Sequence, residues 1–388
     1  MRIYYITDCV LDNRIVHATH VDEVCKNLAV AGHEVRLYTP ATREFTPTGV
    51  YDIRYVASWL WPRSVFFQVH LFFRLCLDMV RTPPAIIYGR QSQFLFVPVL
   101  VGKMFGVPVV WEVNGRLLEE ARQTAKTFLY RMLLKLRVLE GIERMNVSLA
   151  SGLVVVSPGI KDYLLSTYTL PSDKVVIIAN GVDTDVFVPS PSAAVRETLQ
   201  LDNDTICIGY LGSLHVWQGL RFVAEAALLL RDQLPRARFV VVGEGGDREY
   251  LESFVREHKL GSFFDLHAAI KRDQAPDYIN AFDICLSYPI KARGGGASPF
   301  KVYEYLACGK PVVVSDIGGV RDEFGESVAY AEPESPQALA AKILALAQSA
   351  EKRQELGNAG RAYVERDYSW RAVTKKILAV FEKHISSL

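Results

Sequence analysis

The second half of the chain contains the segment Gly294-Gly295-Gly296-Ala297-Ser298-Pro299-Phe300-Lys301-Val302-Tyr303-Glu304-Tyr305-Leu306-Ala307-Cys308-Gly309-Lys310-Pro311-Val312-Val313-Val314. Ser298 is a residue type that caps helix N-termini, and Pro299 suits the first position of a helix. The segment therefore predicts a glycine-rich loop, a helix over Phe300–Cys308 and a buried strand over Val312–Ser315.

The same alternation of β-rich runs and helical segments extends in both directions along the chain. In the second half, further strands are predicted over Thr205–Leu211, Arg238–Gly243, Phe264–Ala268, Ile284–Ser287 and Val328–Ala331. The helices predicted there are Gly219–Leu234, Arg248–His258, Gln274–Ala281 and Pro336–Gln348. In the first half, strands are predicted over Ile3–Thr7, Val35–Thr39, Ala85–Tyr88, Val107–Val113, Gly152–Ser157 and Val175–Ala179, with a helix over His20–Ala31. This pattern is typical of an α/β fold with parallel sheets covered by helices.

The pattern begins twice, on either side of a polar, proline-bearing stretch from Phe187 to Ser192. We therefore predict two doubly wound domains, over residues 1–188 and 189–367, followed by an amphipathic C-terminal helix in residues 368–388. Helices of this kind sometimes cross back onto the first domain. Ligands of open α/β sheets bind at the carboxyl ends of the strands, and we expect a ligand between two such domains.

Composition excludes several classes of protein. The 388 residues have a formal net charge of +1, and 50% of them are hydrophobic. A wholly disordered chain and a general nucleic-acid binder are both disfavoured by these values. No apolar run reaches the roughly 18 residues that a membrane span needs, and Asp8 interrupts the N-terminus before a signal sequence forms, so we expect a cytoplasmic protein. The six cysteines form no C-x-x-C pair, which favours buried free thiols over a zinc site.

Two glycine-rich turns follow predicted strands. Gly209-Tyr210-Leu211-Gly212-Ser213 continues to Gln218-Gly219 at a helix start, where backbone N–H groups suit an anion; an ordinary strand-to-helix turn is equally compatible. In the second turn, Gly243-Glu244-Gly245-Gly246-Asp247, Arg248 occupies the last glycine position of G-x-G-x-x-G. A dinucleotide dehydrogenase is therefore disfavoured.

Lys301 and Glu304 are three residues apart and share one face of the predicted helix. A lysine at a helix N-terminus opposes the helix dipole unless an anion accepts both, and a carboxylate suits the two hydroxyls of a ribose. The alternative is a solvent-facing Lys–Glu pair worth under about 0.5 kcal/mol.

The run Ile178-Ala179-Asn180-Gly181-Val182-Asp183-Thr184-Asp185 marks a tight turn after a strand. Asp183-Thr184-Asp185 matches the D-x-D motif, in which two carboxylates bind a divalent ion together with a diphosphate. Acidic pairs after turns are frequent, however, so the match is weak. The prediction is no metal site and no cofactor.

Together these segments resemble the retaining GT-B glycosyltransferases of family 4, of the glycosyl transferase group 1 type. The marks of the resemblance are Val154-Val155-Val156-Ser157, Ile178 to Asp183 with Phe187, Val242 to Gly245, and Glu304 to Val313. It implies the GT-B fold, in which two Rossmann-like domains face each other across a cleft. It also implies that the second domain binds a nucleotide-diphospho-sugar as substrate and the first binds a glycan or lipid-linked acceptor.

By this resemblance Glu304 holds the ribose, Gly212 to Gly219 flank the diphosphate, and the backbone near Ile270 and Lys271 faces the base. The residues that we assign to the donor are Gly212, Ser213, Gln218, Gly219, Gly243, Glu244, Ile270, Lys271, Gly295, Gly296, Ser298, Lys301, Val302 and Glu304.

The chain departs from the family at several of these positions. Ser213 and Gln218 stand where the family has two cations for the diphosphate, and Gly296 stands where it has the first of two glutamates. Our hypothesis is that Lys301, with the backbone N–H groups of Gly294 to Ala297, binds the diphosphate instead. Asn114 stands where many members have a histidine facing the reacting sugar.

Glu112 and Asn114, at a predicted strand end, are catalytic candidates alongside Lys301 and Glu304. They either orient the acceptor or sugar directly or act behind the groups that do, and the sequence favours neither reading.

The segment from Arg54 to Val147 contains thirteen Arg and Lys residues but only six Asp and Glu residues. The apolar residues in Phe128–Leu139 share one helical face, and basic residues occupy the rest of the helix surface. A second apolar, aromatic segment runs from Trp59 to Phe73. Such a segment suits peripheral contact with an anionic membrane at its cytoplasmic face. The alternative is that both apolar faces pack on the protein's own sheet.

The sequence thus predicts a retaining glycosyltransferase of cell-surface polysaccharide or glycolipid synthesis that needs no metal. Two alternatives stay open: a non-catalytic nucleotide-sugar-binding protein, and an epimerase or phosphorylase acting on sugar phosphates on the same architecture.

Overall fold

The computed structural model describes residues 1–12, 16–42, 45–58, 63–124, 128–293 and 300–386. The chain divides into two units, of which the first comprises residues 1–180 and 373–386 and the second comprises most of residues 181–372. The division at Asn180 falls eight residues before the boundary that the sequence suggested.

The first unit is built on a parallel sheet of seven strands in the order β3-β2-β1-β4-β5-β6-β7. The strands are β1 Arg2–Ile6, β2 Glu34–Pro40, β3 Asp52–Val56, β4 Ile86–Arg90, β5 Val109–Val113, β6 Gly152–Val155 and β7 Val175–Ile177. The helices are α1 Val16–Val30, α2 Arg63–Arg81, α3 Val97–Phe105, α4 Leu117–Thr124, α5 Phe128–Lys135, α6 Val138–Leu149 and α7 Pro158–Thr167.

The second unit repeats the plan with six parallel strands in the order β10-β9-β8-β11-β12-β13. Its helices are α8 Ala193–Thr198, α9 Leu220–Leu230, α10 Arg248–Glu257, α11 Ala275–Ala281, α12 Phe300–Ala307, α13 Val320–Phe324, α14 Pro336–Ala347 and α15 Ala350–Asp367. The strands are β8 Ile206–Leu211, β9 Ala237–Val242, β10 Phe264–His267, β11 Ile284–Ser287, β12 Val312–Ser315 and β13 Ala329–Ala331. The predicted α/β class with two parallel, Rossmann-like sheets is confirmed.

One strand of the first sheet was not predicted. In β3, Asp52-Ile53-Arg54-Tyr55-Val56, charged and apolar residues alternate, and only Val56 is buried. The strand lies at the sheet edge, where the ion pair of Asp52 with Arg36 of β2, 2.9 Å long, supports its pairing. Edge strands with exposed charges lack the continuous apolar run from which the other strands were predicted.

The last helix, α16 Trp370–Ile385, contacts the first sheet through its C-terminal turns. The Phe381 ring lies 5.1 Å from the Tyr88 ring of β4, and Lys383 forms a 3.1 Å ion pair with Asp173. Residues 373–386 therefore belong to the first unit.

All six cysteines are free thiols. Cys25, Cys207, Cys285 and Cys308 are buried, whereas Cys9 and Cys76 are half-buried. Within the described parts of the chain, no helix combines the length and the apolar character that crossing a membrane requires.

Candidate functional site

The two predicted glycine turns of the second unit pack backbone against backbone. The N–H of Gly212, after β8, donates to Val242, and the N–H of Leu214 donates to the carbonyl of Glu244, over 3.0 and 2.9 Å. A Cβ atom on Gly243 would overlap the carbonyl oxygen of Gly212. Both turns follow the carboxyl ends of adjacent parallel strands, where ligands of this fold class bind.

Gly219 lies immediately before α9 with φ at +68°, a conformation that glycine adopts without strain. A Cβ atom there would overlap the carbonyl oxygen of Tyr288, so the residue lacks space as well as conformational freedom for a side chain.

Helix α12 places the side chain of Lys301 at this turn. Its Nζ atom lies 2.6 Å from the hydroxyl of Tyr210 and 3.1 Å from Oε1 of Gln218. It also lies 4.0 Å from the centre of the Tyr210 ring, a cation–π contact. A Cβ atom on Gly212 would lie 2.9 Å from Nζ, so the glycine makes room for the cation. The structure thus brings Gly212, Gln218 and Lys301 together.

Tyr210 was not predicted as a site residue. Its hydroxyl donates to the carbonyl oxygen of Ser213 over 2.8 Å and accepts from Lys301. Ser213 therefore contributes a backbone carbonyl here, while its own side chain is exposed. A tyrosine inside a buried strand, two residues before a glycine turn, was the only sequence signal.

Glu304 is buried, with 4% of its surface exposed, and forms an ion pair with Arg272. The Arg272 guanidinium lies 5.0 Å above the ring of Phe187. The neighbouring Tyr305 accepts the N–H of Leu211 at its hydroxyl over 2.8 Å, which fixes α12 against the end of β8. Sequence reasoning missed Arg272, although it directly follows the predicted base-facing residues.

The remaining predicted donor residues differ in their surroundings. Ile270 is half-buried and Lys271 exposed, and the N–H of Lys271 donates to Gln274 over 3.1 Å. Glu244 is exposed and pairs with Arg248 over 3.1 Å. The side chain of Val302 is fully buried, so only its backbone is available to a ligand. Gly295, Gly296 and Ser298 lie outside the described residues.

Arg248 explains why a non-glycine residue is tolerated after the second turn. Its guanidinium donates to the carbonyls of Gly243 and His267, both over 3.2 Å. The side chain thus stabilises the turn that it follows.

In the first unit, Glu112 lies at the end of β5 and is 2% exposed. Its carboxylate accepts the hydroxyl of Tyr88 over 3.0 Å and the side-chain amide of Asn114, and it pairs with His20 of α1 over 2.5 Å. Burial by itself raises the pKa of Glu112, but the nearby His20 and Arg90 and the bond from Asn114 lower it to about 2. The group is therefore a carboxylate at neutral pH.

The structure places Glu112 and Asn114 in contact with each other and adds His20 and Tyr88 to the group. Burial raises the pKa of Tyr88, so its hydroxyl remains protonated and donates to Glu112. His20 was not predicted as a site residue, because its place in α1 opposite β5 depends on the fold.

Asp183 of the D-x-D stretch has a structural role in its turn. Its Oδ1 atom accepts the backbone N–H groups of Asp185 and Val186 over 3.0 and 3.2 Å. This is the hydrogen bonding of an Asx turn, as short polar side chains after a strand commonly form.

Two family models match the chain. The model described as Glycosyl transferases group 1 matches residues 192–363, and the model described as Glycosyltransferase Family 4 matches residues 17–186. Together they span both units.

The curated relatives and the solved structures that resemble this chain include glycosyltransferases. The D-inositol 3-phosphate glycosyltransferase of Thermobispora bispora is 24% identical over 395 residues, covering 93% of this chain and 88% of the relative. The alpha-maltose-1-phosphate synthase of Mycolicibacterium smegmatis is 23% identical over 64% of this chain and 67% of the relative. Several such matches span about half to two thirds of the relative's length.

Among solved structures, Anabaena Alr3699/HepE in complex with UDP has a TM-score of 0.74 at 16% identity, with 100% of both chains covered. At this identity the likeness establishes the fold alone.

Proposed function

The chain belongs to glycosyltransferase family 4, with a glycosyl transferases group 1 region in its second half, and we propose from this membership that it transfers a sugar from a nucleotide-diphospho-sugar to a glycan or lipid-linked acceptor. The transfer retains the configuration of the anomeric carbon. Its proposed setting is the synthesis of a cell-surface polysaccharide or glycolipid.

The observation behind the donor assignment is the position of Lys301. Its ammonium lies between Tyr210 and Gln218 beside the side-chain-free Gly212. Two positions where the family has cations are Ser213 and Gln218 in this chain, so Lys301 supplies positive charge for the diphosphate. A fixed cation at the leaving group stabilises the charge that develops in the transition state without reorganisation.

Glu304 is the proposed partner of the ribose. Its buried carboxylate pairs with Arg272 through Oε1 and retains Oε2 as a second acceptor for a hydroxyl group. Arg272 in turn orients the carboxylate, because a buried acid with one fixed ion-pair partner has fewer accessible rotamers.

The first unit supplies the proposed acceptor half. Asn114 is half-buried and contacts the ligand in our proposal, whereas Glu112 is enclosed by His20, Tyr88 and Asn114 and acts by positioning that amide. The proposal thus takes Asn114 as the residue that contacts the ligand and Glu112 as a residue that acts through it.

The proposed reaction is a substitution on one face of the sugar. The bond between the anomeric carbon and the phosphate oxygen breaks, and the acceptor oxygen bonds to that carbon from the same side. The departing phosphate oxygen accepts the acceptor's proton, so a glycoside and a nucleoside diphosphate result. Orientation and electrostatic stabilisation of the leaving group supply most of the rate.

We propose that transfer proceeds without a metal ion. The Asp183 carboxylate already accepts two backbone N–H groups in its turn, which favours a structural role over metal binding. Addition of EDTA to the transfer assay is expected to leave the rate unchanged, and a rate restored only by added Mg²⁺ or Mn²⁺ would contradict this.

A second element of the proposal is peripheral contact with an anionic membrane at its cytoplasmic face. It is supported by the excess of thirteen basic over six acidic residues between Arg54 and Val147. A lipid-linked acceptor would be reached from this position.

The deciding experiment combines ligand binding with product analysis. Thermal shifts are measured with UDP, GDP and ADP and their sugars, starting with the uridine nucleotides because the neighbour HepE is described in complex with UDP and UDP-glucose. The bound donor is then assayed for transfer and hydrolysis, and NMR of the product reports the anomeric configuration. Binding without turnover would favour a non-catalytic protein, and preference for a free sugar phosphate would favour another enzyme class.

A further inference from the structure

Helix α2 is apolar on two opposite faces. Its inward face places Phe67, Leu71, Leu75 and Met79 in the core. Its outward face exposes a second apolar row at spacings of four, four, four and three residues: Val65, Val69, Phe73, Leu77 and Val80. Phe73 is 67% exposed and Val80 is 75% exposed. An apolar stripe that packs only on its own sheet does not account for this second row.

Helix α3 packs beside α2 and exposes three further apolar side chains, Leu100, Met104 and Phe105. We name these eight outward side chains of the two helices the α2–α3 face. Soluble monomers rarely expose contiguous apolar surface of this kind unless it binds a partner.

The exposed charges on helices α2 and α3 have one sign. Arg63, Arg81 and Lys103 are exposed on the two helices. Asp78 is the single acid in either helical sequence, and it is buried, where it accepts the Tyr38 hydroxyl over 2.8 Å and pairs with Arg74 over 3.0 Å. The exposed charged side chains that the two helices themselves carry are therefore basic.

We propose that the α2–α3 face docks on an anionic lipid bilayer, with its apolar side chains in the interfacial region and its basic side chains against lipid phosphates. A second copy of the chain fits less well, because a symmetric pair would bring positive rims together. The inference rests on the proposed membrane contact and is independent of the transfer chemistry.

A competing surface lies at Arg131–Val138, where α5 meets α6. Leu136 is 63% exposed there among Arg131 and Lys135. However, Arg137 pairs with Glu140 over 2.5 Å, and the adjacent surface cavity is lined by Glu119, Glu140 and Asp162 as well as by arginines. This mixture of acidic and basic side chains attracts an anionic bilayer less than the exposed Arg63, Arg81 and Lys103 of α2 and α3 do.

The test is co-sedimentation of the full chain with vesicles of phosphatidylglycerol and phosphatidylcholine at low salt. Phe73→Asp is expected to lower the ratio of bound to free protein about tenfold or more, and Arg81→Gln and Lys103→Gln about fivefold each. Val30→Asp on α1, where Val30 is 80% exposed, and Arg256→Gln on α10 are matched controls expected to bind as the unchanged protein does. Vesicles of phosphatidylcholine alone, or high salt, should release the protein.

Four outcomes would overturn the assignment. If the unchanged protein does not sediment with anionic vesicles, both the membrane contact and its surface are wrong, while the nucleotide thermal shift still reports on the donor site. If it sediments and Phe73→Asp sediments equally, the contact stands and the face is wrong. If Leu136→Asp alone abolishes binding, the α5–α6 surface is the contact. If the free protein is a dimer that Phe73→Asp dissociates, a second copy covers the face.

Discussion

The Nζ atom of Lys301 lies 2.6 Å from the hydroxyl of Tyr210, over the ring of the same residue. The tyrosine thus holds the ammonium by a hydrogen bond and by the electrostatic attraction of its aromatic face. Tyr210 belongs to β8 and Lys301 to α12. The contact therefore holds the ammonium group of α12 at the turn that follows β8. Ser213 and Gln218 of that turn carry no charge, whereas the neighbouring helix α12 places Lys301 beside it.

Lys301→Ala is expected to lower kcat/KM for sugar transfer by about a hundredfold or more, because it removes a preorganised charge at the leaving group. Lys342→Ala on α14, which removes an exposed lysine of the same unit, is the matched control and should leave the rate unchanged. Steady-state kinetics with the donor found by thermal shift measure both. An unaltered rate for Lys301→Ala, with the fold intact, would remove the diphosphate role.

Glu304→Gln is expected to weaken nucleotide binding about tenfold, because an amide replaces one charged acceptor by a donor. The loss should depend on the ribose hydroxyls, so the nucleoside diphosphate and its 2′-deoxy form are compared in both proteins by calorimetry. If Glu304 binds the ribose, the deoxy nucleotide loses much less affinity from the substitution than the ribonucleotide does. Equal losses for the two ligands would show that Glu304 acts through Arg272 on the fold rather than on the sugar.

Gly243→Ala is expected to lower the thermal midpoint and abolish nucleotide binding, because its Cβ atom would overlap backbone rather than a movable side chain. Gly246, three residues further in the same turn, supplies the matched control, because a Cβ atom added there would have no heavy atom of a neighbouring group within 4 Å. Gly246→Ala should change the midpoint little and leave binding intact. Similar effects from both alanines would contradict the close approach of the two turns.

Most strands of the two sheets could be predicted from the sequence, because they are short apolar runs between residues typical of turns. A parallel strand that is buried on both faces is apolar along its whole length. Strand β3 was not predicted because the charged Asp52 and Arg54 interrupt the apolar run. The position of Lys301 and Glu304 on one helix face also followed from spacing alone.

The partners of the site residues could not be predicted in the same way. Tyr210 reaches Lys301 across 91 residues, Arg272 reaches Glu304 across 32, and His20 reaches Glu112 from another element. Such contacts depend on which strand ends lie side by side, which a local pattern does not encode.

The buried Glu112 predicts an acid-sensitive first unit. Its pKa of about 2 lies below the ordinary value of 4.5, so the folded state favours the carboxylate form. The stabilisation is complete above the unfolded pKa and is lost as the pH falls toward the folded one. A difference of this size corresponds to about 3 kcal/mol of unfolding free energy at neutral pH.

Glu112→Gln removes that titration while keeping the shape of the side chain, at the cost of the pairing with His20. The substituted protein should therefore unfold at a lower temperature than the unchanged one near pH 7, and the gap should shrink by more than half on going to about pH 3. Thermal unfolding followed by far-UV circular dichroism at both pH values measures the gap. Glu334→Gln, at an exposed position of the second unit, is the control expected to show a small gap at either pH. A gap for Glu112→Gln that is constant from neutral to acidic pH would mean that the carboxyl group is not held ionised by its neighbours.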